Sequence, residues 1–190
     1  MRWEAAEFHD WFTKTDDPVK RRRAMHDLTS DQAKEYREWQ TFKRFAKASA
    51  LDIDPRTIKN RKAPEPDILC EVSGIGHYFE LGTVVDEKVA KGAGDAARNG
   101  LDIHAGWCSP SDAPQRMIEQ KCAKTYPTNG LAVSLLLHYD VNLQVPHPNA
   151  VEAVVADSRQ VALKQFQASQ FDAIWFFDGW SDTVLRFIGR

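Results

Sequence analysis

Hydrophobic residues in the first third of the chain recur every three residues, as on one face of a helix. These residues are Tyr36, Trp39, Phe42 and Phe45. The segment Thr29–Gln32 before them has the T-x-x-Q form of a capping box. We therefore predict a long helix that begins there and ends near Ala50.

Strand-like segments follow in three places. Ile68–Val72 and His77–Leu81 flank a Gly-containing turn and predict a β-hairpin. Leu131–Tyr139 is nearly all apolar, which is typical of a strand covered on both faces. Ala173–Phe177 and Thr183–Ile188 flank a second turn and predict a C-terminal hairpin.

Helical patterns separate these strands. Val84–Asn99 is weakly helical, Asp112 and Pro114 open a helix that runs to about Thr125, and Val151–Phe166 has one apolar stripe. The element order is therefore helix, hairpin, helix, strand, helix, hairpin. This order predicts an α/β fold with a central mixed β-sheet flanked by helices.

Length and composition indicate that residues 1–190 form a single domain. We divide it into a helical arm (1–28), a core (29–166) and the C-terminal hairpin (171–190). Hydrophobic residues make up 43% of the chain, and no run approaches the roughly 18 apolar residues that a membrane span needs. With no signal peptide in view, we expect a cytoplasmic protein without a membrane partner. The three cysteines lack CxxC spacing, so they predict neither a disulfide framework nor a zinc site.

The net charge of −2 gives no argument for nucleic-acid binding. Two local basic runs, Lys20–Arg23 and Arg56–Lys62, are candidates for phosphate contact, although most such runs are solvated surface.

An acidic pair is the sharpest local signal. Asp67 follows Pro66 at the start of the first hairpin, and Glu80 lies on its second strand. With a two-residue or four-residue turn we expect Asp67 to oppose Gly82 and Glu80 to oppose Leu69. Both carboxylates would then be diagonal neighbours on one sheet face. Hard oxygen ligands suit Mg²⁺ (or Mn²⁺), which needs few protein ligands when phosphate and water supply the rest.

Pro66-Asp67, the hairpin and Glu80 resemble the PD-(D/E)xK nuclease superfamily, and the order of elements from Asp31 to Phe166 fits it. The resemblance implies a restriction-endonuclease-like core and metal-dependent hydrolysis of phosphodiester bonds in DNA. It makes Asp67 and Glu80 metal-binding and catalytic residues. It also implies a further acid on the preceding helix, for which Glu35 and Glu38 are the candidates.

The chain departs from this family at the lysine that follows the glutamate by two residues, where Gly82 stands. Such a lysine positions the attacking water and stabilises charge on the phosphate. Members of the superfamily sometimes supply it from another element. Lys121 lies on the predicted helix that opens at Asp112 and runs to about Thr125, and it is our preferred candidate. Lys88 is the alternative.

Two functions of different classes remain open at this point. The first is a magnesium-dependent endonuclease or exonuclease, with DNA as its partner. The second is a catalytically inactive nuclease-fold module that binds nucleic acid or a protein partner. No HExxH or P-loop motif suggests another chemistry. Sequence alone decides neither the substrate, nor the biological role, nor whether the chain is a homodimer.

Overall fold

The computed structural model describes residues 5–15, 17, 20, 30–85, 89, 91–92, 95, 106–108, 112–139, 144–146 and 148–189. Its helices are α1 (Ala5–Lys14), α2 (Ser30–Ala48), α3 (Ala113–Cys122) and α4 (Pro148–Ala168), with a 3₁₀ turn at Pro55–Thr57. Its strands are β1 (Lys59–Asn60), β2 (Ile68–Val72), β3 (Ile75–Val84), β4 (Gly106–Cys108), β5 (Ala132–Tyr139), β6 (Gln144–Pro146), β7 (Ala173–Phe177) and β8 (Val184–Gly189).

Six of these strands form one mixed sheet in the order β1-β2-β3-β5-β7-β8. Strands β3, β5 and β7 run parallel, and an antiparallel pairing flanks them on each side. The predicted α/β fold with a central mixed sheet and a C-terminal hairpin is therefore confirmed. The short parallel pair β4–β6 was not predicted.

Helices cover both faces of this sheet. The aromatic stripe of α2 packs on one face, where Phe42 and Phe45 contact Phe79 of β3. Helices α3 and α4 cover the other face, where Ile118 and Phe166 join the apolar residues of β5 and β7. Among the residues whose burial the structure describes, those that predicted these elements thus lie in the two cores.

The first hairpin has a different register from the one expected. Its turn consists of Ser73 and Gly74, with φ angles of 51° and 77°, the left-handed conformations that a tight two-residue turn requires. Ile68 consequently pairs with Phe79 and Leu69 with Tyr78. The expected pairing of Glu80 with Leu69 was wrong by two residues, because Ile75 and Gly76 belong to the strand and not to the turn. A shift of two leaves every side chain on its predicted face.

Helix α1 lies against α2, where the buried ring of Phe8 meets Tyr36 edge-on at 4.9 Å. Most of the rest of the predicted arm (1–28), the basic residues Arg21–Arg23 and most of the predicted helix at 84–99 lie outside the described residues. The division into arm, core and hairpin stays a prediction. None of the described helices has the length and apolar composition needed to cross a membrane.

Candidate active site

The two predicted acidic residues face each other across the first hairpin. Continuing the β2–β3 register by one residue from the Ile68–Phe79 pair places Asp67 opposite Glu80. The Oδ2 atom of Asp67 accepts a hydrogen bond from the backbone N–H of Leu81 at 2.9 Å, which fixes that side chain beside β3. Glu80 is buried, with 5% of its surface exposed. The electrostatic effect of Asp67 on Glu80 agrees with this placement.

Glu80 receives two donors from the segment that covers its face. The ammonium of Lys121, near the end of α3, donates to Oε1 at 2.5 Å, and its side chain is only 16% exposed. The hydroxyl of Tyr126, in the loop after α3, donates to the same oxygen at 2.9 Å. Both contacts use Oε1, and Oε2 has no hydrogen bond within the described part of the chain.

The environment of Glu80 raises the pKa of its carboxyl group. Burial is the largest cause, and the negative charge of Asp67 adds to it, while Lys121 and Tyr126 oppose the shift. Two carboxylates at close range cost free energy unless a cation or a proton relieves them. The field at this position therefore favours a positive charge.

Helix α2 contributes a third carboxylate from another direction. Glu38 is largely buried, with 15% of its side chain exposed, and its carboxylate pairs with Lys34 at 3.2 Å. Burial and the charge of Asp67 raise the pKa of Glu38 to about 7, against the pull of Lys34 and Lys121. Burial lowers the pKa of Lys34, but Glu38, Asp67 and Glu80 outweigh it and leave the pKa raised. These interactions connect α2 electrostatically with the hairpin and with α3.

A side chain at Gly82, the expected lysine position, would overlap its neighbours on α3 and β5 unless they shift. A Cβ atom built there would lie 2.8 Å from Cγ of Met117 on α3 and 2.9 Å from Cδ2 of Leu137 on β5. Real Cβ atoms essentially never approach other atoms so closely. The helix that closes this space also carries Lys121, four residues after Met117, and delivers its ammonium to Glu80. The ammonium beside Glu80 therefore comes from α3.

The structure brings the predicted site residues Asp67, Glu80, Lys121 and Glu38 into one group of interacting charges. Their metal-binding and catalytic roles stay predictions. Glu35, the alternative helix acid, instead pairs with Lys62 at 3.7 Å. The alternative lysine, Lys88, lies outside the described residues.

Tyr126 is the member of this group that sequence reasoning missed. It lies in an irregular segment between α3 and β5, where no periodic pattern or motif marks it. A tyrosine a few residues after a candidate catalytic lysine is too common an arrangement to single out from one sequence. Only the tertiary contact with Glu80 identifies it.

The second basic run is largely paired with carboxylates of its own surroundings. Arg56 bonds Asp54 at 2.8 Å, and Arg61 bonds Glu65. Such exposed pairs are weak and exchange readily with solvent or another anion. Contact of this run with phosphates stays a prediction.

The donor set suits a hard divalent cation in kind but is sparse. Asp67 and Glu80 provide carboxylate oxygens, which Mg²⁺ prefers. Within the described ranges, no group of three or more His, Cys, Asp or Glu residues has an arrangement that could hold a metal ion. A cation bound here would therefore take most of its ligands from water or from a substrate phosphate, as Mg²⁺ commonly does.

Comparison with known proteins adds little to this picture. No protein-family model matches the chain, and no curated protein matches it. Among solved structures, the chain has a weak likeness to Pyrococcus furiosus SfsA in complex with Ca²⁺, with 16% sequence identity and a TM-score of 0.24. The match covers 70% of this chain and about half (54%) of the SfsA chain. A TM-score this low carries no argument about function, so the PD-(D/E)xK resemblance stays a prediction.

Proposed function

We propose that this protein is a divalent-metal-dependent phosphodiesterase that hydrolyses DNA. The observation that carries the proposal is the placement of Asp67 beside β3, where it bonds the backbone N–H of Leu81 and its charge acts on Glu80, together with the Lys121 ammonium on Glu80. Two carboxylates can hold a divalent cation that activates water, and a lysine can stabilise charge on the phosphate, so these groups suit metal-assisted phosphodiester hydrolysis. The proposal also rests on the sequence resemblance to PD-(D/E)xK nucleases.

Each residue of the group has a distinct part in this proposal. Asp67 and Glu80 would hold Mg²⁺ or Mn²⁺, which when bound acidifies water and neutralises phosphate charge. Lys121 orients the attacking water and stabilises the negative charge that develops on the phosphate. Glu38 adds a third carboxylate from the side of α2. Its pKa is raised to about 7, mainly by burial, so its protonation changes near neutral pH.

Calorimetric titration with Mg²⁺ and Mn²⁺ is the first test, on the native chain and on the variants Asp67→Ala and Glu80→Gln. We expect binding that both variants lose. Glu71→Gln is the matched control, because Glu71 is an exposed carboxylate on the same hairpin. Absence of binding in the native chain, at millimolar metal and with duplex DNA present, would refute the proposal.

Hydrolysis of single-stranded, duplex and branched DNA is the second test. Lys121→Met should lower the cleavage rate by about 10²–10³-fold, as loss of a group that stabilises a charged transition state does. Lys124→Met is the control, since Lys124 is exposed and lies just beyond the end of α3. Equal rates in the two variants would remove Lys121 from the mechanism.

A non-catalytic nuclease-fold module is the second candidate function. The ion pair between Lys121 and Glu80 favours it, because a carboxylate already neutralised by a buried ammonium can serve structure alone. This reading predicts that Lys121→Met destabilises the fold and that the native chain cleaves none of the DNA substrates.

A further inference from the structure

Tyr126 and Lys121 donate to the same oxygen of Glu80, but they differ in their freedom to leave it. Lys121 carries its charge on a flexible four-carbon stem, whereas a tyrosine hydroxyl lies on a rigid ring with two side-chain torsions. An ammonium has three N–H donors, so Lys121 can divide them between Glu80 and a water or phosphate oxygen.

The backbone of Tyr126 is fixed from a neighbouring segment. Gln170, just after α4, accepts from the backbone N–H of Tyr126 at 3.1 Å and donates to its carbonyl at 3.5 Å. The ring packs against Phe171, with centroids 6.0 Å apart. These contacts hold the hydroxyl in place independently of Lys121.

The hydroxyl of Tyr126 has a single O–H donor, and in the structure this donor is used on Oε1 of Glu80.

We propose that Tyr126 is a positioning residue that holds Oε1 of Glu80 whatever else Lys121 contacts, which leaves Oε2 for a bound cation. This role rests on the proposed function, because it assumes a metal ion at Glu80. The arrangement resembles the outer hydrogen bonds that orient metal ligands in proteins in general. Loss of such a bond typically costs about 10–100-fold in metal affinity.

The test is Mn²⁺ titration of the full chain by calorimetry. The variants are Tyr126→Phe, Lys121→Met, their combination and Glu80→Gln. Tyr36→Phe is the matched control, because its buried hydroxyl accepts from Gln40 at 2.6 Å on α2, away from Glu80. The paramagnetic resonance spectrum of bound Mn²⁺ is the second readout, since it responds to ligand geometry and not to fold stability.

We expect Tyr126→Phe to weaken Mn²⁺ binding by about tenfold and to alter the spectrum, with no effect from Tyr36→Phe. The factor should be larger in the Lys121→Met background, where Tyr126 is the remaining donor to Oε1. Unchanged Mn²⁺ binding in Tyr126→Phe would overturn the positioning role and leave the proposed function standing. Equal weakening in Tyr36→Phe would also overturn it. If the native chain binds no Mn²⁺, the proposed function fails and this role fails with it.

Discussion

Strand β3 packs against different helices on its two buried faces, and the two faces differ in how burial affects the stability of the fold. On one face Phe79 is fully buried among the aromatic rings of α2. On the other face the next residue, Glu80, is nearly as buried but lies between a carboxylate, an ammonium and a phenol hydroxyl. Apolar burial stabilises the fold directly, whereas burial of a carboxylate costs free energy that its partners only partly return. Of these two adjacent positions, Phe79 thus contributes to the stability of the fold and Glu80 belongs to the candidate active site.

The aromatic face should show the largest effect on stability. We expect Phe79→Ala to lower the free energy of unfolding by about 3–5 kcal/mol, because it removes a ring that contacts Phe42 at 4.8 Å and leaves a cavity. Urea unfolding followed by tryptophan fluorescence measures this loss. Under conditions where the variant is still folded, its Mn²⁺ affinity should match that of the native chain. A large loss of metal affinity in folded Phe79→Ala would show that packing on the aromatic face also determines metal binding on the other face.

The pH dependence of stability should show a second, smaller effect that comes from α2. Glu38 has an ordinary pKa of 4.5 in the unfolded chain and about 7 in the folded one. The folded state therefore holds a proton that the unfolded state releases between these values, and stability falls as pH rises from 4.5 to 7. At about 1.4 kcal/mol for each pKa unit, the loss reaches about 3 kcal/mol.

Glu38→Gln should reduce this fall, with the raised pKa of Glu80 leaving a part of it, and should make the variant more stable than the native chain above pH 7. Urea unfolding at pH 5, 6, 7 and 8 measures the difference. Glu35→Gln is the control, because Glu35 lies on the same helix and pairs with Lys62 instead. Parallel pH profiles of native chain and Glu38→Gln would show that Glu38 ionises normally and lies outside the charged group.

Sequence patterns predicted the apolar half of this molecule well. The three-residue spacing of aromatics on α2 and the unbroken apolar run of β5 follow directly from the period of a helix and from a strand covered on both faces. The face shared by Asp67 and Glu80 was also predictable, because strand alternation depends only on the parity of the turn. The exact register was not, since Ile75 and Gly76 are plausible in either a turn or a strand.

The polar half depends on contacts between distant segments. Tyr126 and Glu80 are 46 residues apart in the sequence, and the local sequence pattern around neither residue predicts their contact. The small sheet of β4 and β6 was missed because strands of three residues show no usable alternation. Gly82 was recognised as a departure from the pattern of the family that the sequence resembles, but the close approach of Met117 to this position is visible only in the packed structure.

Gly82 offers the smallest and most local test of how the polar face is packed. Gly82→Ala should cost about 1–3 kcal/mol of unfolding free energy, because the added Cβ would overlap Met117 and Leu137. Urea unfolding again provides the measurement. Combining it with Met117→Ala should cost less than the sum of the two single changes, since the shorter side chain vacates the space that the Cβ needs. Additive costs would mean that Met117 does not fill this position.

Gly82→Lys in a Lys121→Met background then asks whether the two positions are interchangeable. A lysine restored at the family's usual position should not recover metal-dependent cleavage, because its first side-chain atom already collides with α3. Gly76→Lys in the same background is the control for an added lysine on β3 at a distance from Glu80. Recovery of cleavage by Gly82→Lys, but not by Gly76→Lys, would show that α3 can shift to accommodate a lysine at position 82. Packing would then not require the lysine to come from α3.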